Sequence, residues 1–226
     1  MLTIRSLFGH VQVFFTLFAN FAFAAPENVT VDDAALTGPV TITYLPSPSN
    51  WSQGNNCSGC IAKPDPSQAY NGTWHDTTYI PNSAVYQAFQ FNFTGTFLDP
   101  VSLFLDLITL FTIGSGLYIF FILANTVTGA RMSTSVNFIL DGVPASSFTH
   151  NATTSTSYEY NQTVFANSSI PNGLHTMKVE PVNNSVNVLI LFDYLIYTCV
   201  PCLLTFRPSS SAPLLARIRA LPLQPL

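Results

Sequence analysis

Charge is scarce in this chain. Asp, Glu, Lys and Arg together make up 8% of it, with seven Lys or Arg against 11 Asp or Glu and a net charge of −4. Phosphate recognition needs clustered cations, so the composition argues against a nucleic-acid partner. Solubility must rest on hydroxyls, amides and attached glycans. Long amphipathic helical repeats are missing as well, which argues against an α-helical fold. No G-x-S-x-G, H-E-x-x-H, P-loop or Rossmann fingerprint occurs, so the sequence is read as that of a non-enzyme with no cofactor.

Cysteine is sparse, and its four copies fall into two C-x-x-C pairs, Cys57/Cys60 and Cys199/Cys202. A thioredoxin-like site needs a βαβ setting, and the first pair lies in Gly-, Asn- and Pro-rich sequence. A zinc site needs four converging ligands, and the pairs are far apart in sequence. A local Cys57–Cys60 disulfide pinning a loop is the preferred reading, and it requires an oxidising compartment.

The N-terminus supplies one. Arg5 precedes the apolar stretch "LFGHVQVFFTLFANFAF", and Ala22-Phe23-Ala24 fits a small-x-small cleavage site. Residues 1–24 are therefore expected to be a signal peptide, with the mature chain starting at Ala25. Nine N-x-S/T sequons follow, at Asn28, Asn50, Asn56, Asn71, Asn92, Asn151, Asn161, Asn167 and Asn183. Together they predict a glycosylated protein, secreted or on the extracellular face of the plasma membrane. Roughly 200 residues remain after cleavage, enough for one domain with a core.

The hydrophobic pattern has a period of two. In "VYQAFQFNF", Phe89, Phe91 and Phe93 share one face, while Gln90 and Asn92 share the other. "SVNFILDG" repeats this and ends in an Asp141-Gly142 hairpin turn. "LHTMKVEP" points Met177 and Val179 inward, and "VNVLILFDYLIYT" is apolar on both faces like a central strand. "NVTVDD" and "VTITYL" are earlier strands. Short strands separated by Gly, Pro and Asn turns predict an all-β antiparallel sandwich.

"CSGCIAKPDPSQAYNGTWHD", "FNFTG", "LYIFFILANTV", "FILDG" and "LILFDYLIYT", in that order, resemble a family of secreted and membrane-anchored fungal glycoproteins, over about residues 28–198. The resemblance implies a galactose-binding-like jelly-roll β-sandwich over 25–198, with no established activity. It also marks two departures. Residues 96–116 are an apolar insertion, which an unremoved intron would account for. Residues 199–226 form an irregular tail in place of a Ser/Thr-rich linker and one membrane helix. Arg217 and Arg219 interrupt the tail's apolar end, against a GPI signal.

Residues 101–123 are apolar and long enough to span a bilayer, which offers the alternative of a single-pass ectodomain. Against this, sequons lie on both sides of the stretch, no Lys or Arg flanks it closely, and "GLYIFFILANT" reads as a sandwich strand.

Three side chains are candidates for ligand binding: Tyr70, Trp74 and His75. Sugar sites set an aromatic ring against a pyranose and fix its hydroxyls with a few polar groups. The structural alternative is a Trp74 packed over the sandwich edge. His75 and Asp76 are neighbours and would face opposite ways on a strand, so they make a poor catalytic pair. Asp32, Asp33 and Asp193 are weighed as calcium ligands, which needs six or more oxygens, against solvated or hydrogen-bonded acids. No metal is expected. The function predicted is a non-catalytic binding or display module for a cell-wall or surface glycan. A hydrolase would need two carboxylates facing one cleft, and no such pair is evident.

Overall fold

A computed structural model describes residues 26–35, 37–83, 85–95, 115–182 and 186–199. The signal peptide expected over 1–24, insertion residues 96–114, Asn183, Cys202 and the tail from residue 200 lie outside the described residues.

The described chain is two antiparallel sheets packed face to face. One contains β1 (Glu27–Asp32), β3 (Ser52–Gln53), β4 (His75–Tyr79), β6 (Ser115–Leu123), β11 (Glu159–Ile170) and β13 (Val188–Cys199). The other contains β2 (Ile42–Leu45), β5 (Ala88–Gly95), β9 (Thr134–Leu140), β10 (Val143–His150) and β12 (Gly173–Pro181). A small hairpin, β7 (Thr126–Val127) and β8 (Ala130–Arg131), sits apart. The first sheet runs β11-β6-β13-β4-β3, with β1 also on β13; the second runs β10-β9-β12-β5-β2. This is the antiparallel jelly-roll β-sandwich expected.

The alternation read in the sequence builds the core. Phe89, Phe91 and Phe93 of β5 are buried, while Asn92 is exposed. Val136 and Phe138 of β9 and Met177 and Val179 of β12 join them inside. Phe89 stacks on Phe192 of the opposite sheet at 4.4 Å, which ties the layers together. Each such ring contributes roughly 1.5–3 kcal/mol of gross burial. Asp141 and Gly142 carry φ of 53° and 78° in the β9–β10 hairpin, the left-handed pair that a two-residue turn requires.

A second, smaller core lies on the outer face of the first sheet. Ile122 and Ala124, with Leu189 and Leu191 of β13, pack against Trp74 and Ala62. The strap that covers them runs through residues 54–73 and carries the Cys57–Cys60 disulfide, with Sγ atoms 2.09 Å apart. Tyr158 and Tyr160 hold it down, their hydroxyls accepting the backbone N–H of Lys63 at 2.7 Å and of Asp65 at 2.6 Å.

Three expectations change. Ser115 and Gly116, placed in the insertion, are the buried start of β6. Cys199, placed in the tail, is the buried last residue of β13, paired with Glu27. The stretch 101–123 cannot be one membrane helix, because residues 115–123 are a strand bonded to both β11 and β13. Among the described residues no helix is long and apolar enough to cross a membrane.

Candidate functional site

The site is organised by a bulge. The register of β13 against β6 shifts between Phe192 and Tyr194, with Asp193 at the shift. Extra residues in a strand re-aim the side chains around them. Here the shift lets Phe192 and Leu195 both enter the main core, while Tyr194 is half-buried outside it.

Beneath Tyr194 lies a group of carboxylates. The Asp193 carbonyl accepts the N–H of Asp33 at 3.1 Å, which brings the end of β1 to the bulge. Asp193 Oδ1 accepts the Tyr70 N–H at 2.9 Å, while its buried Oδ2 has no partner. Asp33 Oδ2 is 2.6 Å from His75 Nδ1 and accepts Gln53 Nε2 at 3.2 Å. The Thr73 hydroxyl lies 3.0 Å from Asp32 Oδ1 and 2.5 Å from Asp33 Oδ1. Asn71 Nδ2 donates to Asp32 Oδ2 at 3.1 Å. These bonds fasten the strap to β1 and β13.

Burial raises the Asp33 carboxyl to about 6, with Asp32 adding to the rise and His75 and Thr73 opposing it. Burial likewise raises Asp193 to about 7, opposed by the Tyr70 N–H and reinforced by the charges of Asp33 and Asp32. Burial also pushes Asp32 upward, but hydrogen bonds with Asp33, Asn71, Thr73 and Ala34 outweigh it and leave the carboxyl below its ordinary value.

The three acids weighed as calcium ligands do converge. Most of their oxygens already accept from protein donors, and Ca²⁺ takes six to eight oxygens. Among the described residues no three or more His, Cys, Asp or Glu side chains are arranged as metal ligands.

Above this group the sheet surface is aromatic. Tyr194 stacks on Phe120, its cross-strand partner on β6, with centroids 4.5 Å apart and 8° between planes. Tyr70 lies on the other side, 4.9 Å from Tyr194. All three rings are half-buried, so each keeps part of its surface in solvent. Tyr118 and Ile196 form the next cross-strand pair on the same face, also half-buried. Polar residues rim the patch. Tyr194 donates its hydroxyl to Asn161 Oδ1 at 3.3 Å, and Thr198 donates to Asn28 Oδ1 at 2.8 Å.

Of the three ligand candidates, Tyr70 belongs to this surface. Trp74 does not: at 1% exposure it is packed under the strap and offers no ring face to a ligand. His75 points between the sheets, where it stacks on Tyr44 at 4.0 Å and meets Asp33. It lies apart from Tyr70 because alternation along β4 sends it inward. Asp76, its neighbour, is also buried, and burial raises it to about 6 against the pull of Lys63. Phe120 and Tyr194 were not singled out from sequence. The one clue was Asp193, an acid interrupting an apolar central strand.

The sequons mostly reach solvent. Asn28, Asn56, Asn71, Asn92, Asn151 and Asn161 are exposed, while Asn50 and Asn167 are half-buried. Asn92 sits on the outer face of the second sheet, where its Oδ1 accepts the Thr176 hydroxyl at 2.8 Å. Beside it is a shallow groove of about 310 Å³ along Thr41, Thr43 and Gln90.

No family model matches the sequence, and no curated protein does. Among solved structures, a family 35 carbohydrate-binding module from Clostridium thermocellum is similar, at 14% identity and a TM-score of 0.40, over 76% of this chain and 97% of that one. A family 35 module from Paenibacillus barcinonensis shares 11% identity with a TM-score of 0.38, over 76% of this chain and 98% of that one. A cycloisomaltooligosaccharide glucanotransferase from Paenibacillus sp., complexed with cycloisomaltoheptaose, shares 17% identity with a TM-score of 0.40. That match covers 74% of this chain, which spans 18% of the glucanotransferase.

Proposed function

We propose that this protein is a secreted, N-glycosylated, non-catalytic module that binds a cell-wall or surface glycan on its aromatic face. One observation carries the reading: Tyr194 and Phe120 on the sheet, with Tyr70 of the strap beside them, form a row of half-buried rings. A pyranose lays its C–H face across the exposed edge of such a ring row and turns its hydroxyls to a polar rim, here Asn161, Asn28 and Thr198. The rings are set by strand register and by the strap, so little ordering entropy is lost on binding.

A catalytic reading has less support. Glycoside cleavage needs two carboxyl groups across one cleft. Asp33 and Asp193 are 1% and 0% exposed and are held by strap donors. Secretion is favoured by the N-terminal sequence, the sequons and the Cys57–Cys60 disulfide. The resemblance to the fungal glycoprotein family points the same way.

The test is a glycan array, with pull-down on insoluble wall polysaccharides, for wild type, Tyr194→Ala and Phe120→Ala. Removing one stacking ring should weaken binding at least about tenfold, which corresponds to roughly 1.4 kcal/mol. Thermal melting of each variant separates lost binding from lost fold. Binding that survives both substitutions in folded protein would place the ligand elsewhere.

A further inference from the structure

We propose that an N-linked glycan on Asn161 packs onto the Tyr194 and Phe120 rings and closes the aromatic face. The occupancy of one sequon then sets whether the face is open. This rests on reading that face as a glycan-binding surface.

Asn161-Gln162-Thr163 is a sequon inside β11, not in a loop. The register of β11 against β6 shifts between Glu159 and Gln162, and Asn161 has a φ of 55°. Asparagine is among the few residues that tolerate this left-handed conformation. A bulge re-aims side chains, and this one brings Asn161 within reach of β13. Its Oδ1 accepts the Tyr194 hydroxyl across the intervening strand β6. The Tyr194 ring is at the same time stacked on Phe120 of that strand.

The chemistry of attachment preserves this contact. Transfer from a lipid pyrophosphate-linked oligosaccharide forms a bond between Nδ2 and the anomeric carbon. Nδ2 loses one hydrogen as a proton, and the lipid pyrophosphate leaves. Oδ1 and one N–H remain, so Tyr194 keeps its acceptor. The first sugar therefore starts one bond from an amide whose other end is anchored on the ring row. Its C–H face and acetyl methyl group meet half-buried aromatic carbon, a surface that an apolar group covers favourably.

Three other sequons are placed differently. Asn71 already uses Nδ2 to bond Asp32, and its sequon threonine, Thr73, is engaged by Asp32 and Asp33. Asn28 bonds Thr198, not a ring. Asn92 is on the opposite sheet.

The experiment compares wild type with Thr163→Ala, both secreted from a eukaryotic host. The substitution removes the sequon but leaves Asn161 and its bond to Tyr194. Glycopeptide mass spectrometry reads occupancy. Trimming to a single N-acetylglucosamine and recording NMR spectra then reads ring contact. The expected result is an occupied Asn161, with acetyl and ring C–H protons shifted upfield and showing NOEs to Tyr194 and Phe120. An unoccupied Asn161, or sugar protons at their free positions, overturns the proposal. Binding to immobilised wall polysaccharide should be at least tenfold tighter for Thr163→Ala than for wild type, and equal binding by the two also overturns it. If neither form binds while the NOEs are present, the covering glycan stands and the reading of the face as an open ligand site falls. Thr163→Val gives a second sequon-free form, with Asn161 intact, should Thr163→Ala not be secreted.

Discussion

Gly54 and Trp74 are in direct contact: a Cβ built on the glycine would stand 1.8 Å from the indole Nε1 and 2.2 Å from Cε2. The indole is 1% exposed and cannot swing away. Gly54→Ala should therefore force the strap off the sheet and cost at least the roughly 1–3 kcal/mol typical of overpacking. Trp74→Ala should cost about 3–5 kcal/mol through the cavity it leaves. Gly59, in the same strap, has nothing within 4 Å of its Cβ position, so Gly59→Ala is the control. Chemical denaturation of the three variants should order them Gly59→Ala, Gly54→Ala, Trp74→Ala by increasing loss. A neutral Gly54→Ala would mean the strap does not lie as described.

The strap is held as much by two tyrosines as by its disulfide. Closing a loop as short as Cys57–Cys60 gives about 2 kcal/mol in the chain-entropy account. Tyr158 and Tyr160 each accept a strap N–H, worth about 1 kcal/mol apiece. The double variant Tyr158→Phe/Tyr160→Phe should lose at least as much stability as Cys57→Ser/Cys60→Ser. Hydrogen exchange at Lys63 and Asp65 should rise in the tyrosine variant. Protection unchanged at both amides would remove the tyrosines from this role.

Strand periodicity made the sandwich legible from sequence. Phe89, Phe91 and Phe93 alternate with polar neighbours, and only one face can be buried. The Asp141-Gly142 turn was legible because few residue pairs accept two positive φ angles. The aromatic face was hidden for an equally physical reason. Alternation assigns faces by parity, and the shift at Asp193 changes parity within β13. Before the shift Phe192 is inside; after it Leu195 is inside and Tyr194 is out. Trp74 was ambiguous because a tryptophan beside turn residues suits both a ligand loop and a packed strap. Only the small residues opposite it, Gly54 and Ala62, decide in favour of packing.

The anchors of the apolar insertion allow it to be tested. Gly95 ends β5 opposite Gly173, and Ser115 begins β6 opposite Ile170. Ile170 and Gly173 are themselves joined by only Pro171 and Asn172. A comparably short link should therefore connect β5 to β6. Replacing residues 97–113 with a few Gly and Ser residues should preserve the fold and raise secreted yield, since loop-closure entropy favours the shorter connection. Circular dichroism and thermal melting would check this. Loss of cooperative melting would show that the segment contributes to the core.

The buried acids predict an acid-shifted stability profile. Asp193 is raised to about 7 and Asp33 and Asp76 to about 6, against roughly 3.9 for an unfolded aspartate. Between about pH 4 and pH 7 the folded state thus holds more protons than the unfolded state, so unfolding free energy falls as pH rises through that window. Asp32, Asp65 and Asp141 are lowered, and what they contribute is lost only as pH falls below about 4. The melting temperature should therefore peak near pH 4–5 and decline toward neutrality. Asp193 has the largest of the three rises, faces Asp32, Asp33 and Tyr70, and has an unpartnered Oδ2, so it should contribute the largest single share of the slope. A tenfold change in proton affinity corresponds to about 1.4 kcal/mol, which puts the Asp193 share on the order of a few kcal/mol across the window. Asp193→Asn keeps an oxygen for the Tyr70 N–H and removes the charge. It should make the profile shallower and melt above wild type at pH 7. Melting curves of both proteins from pH 4 to pH 8 give the answer, and parallel profiles would assign the slope to Asp33 and Asp76 instead.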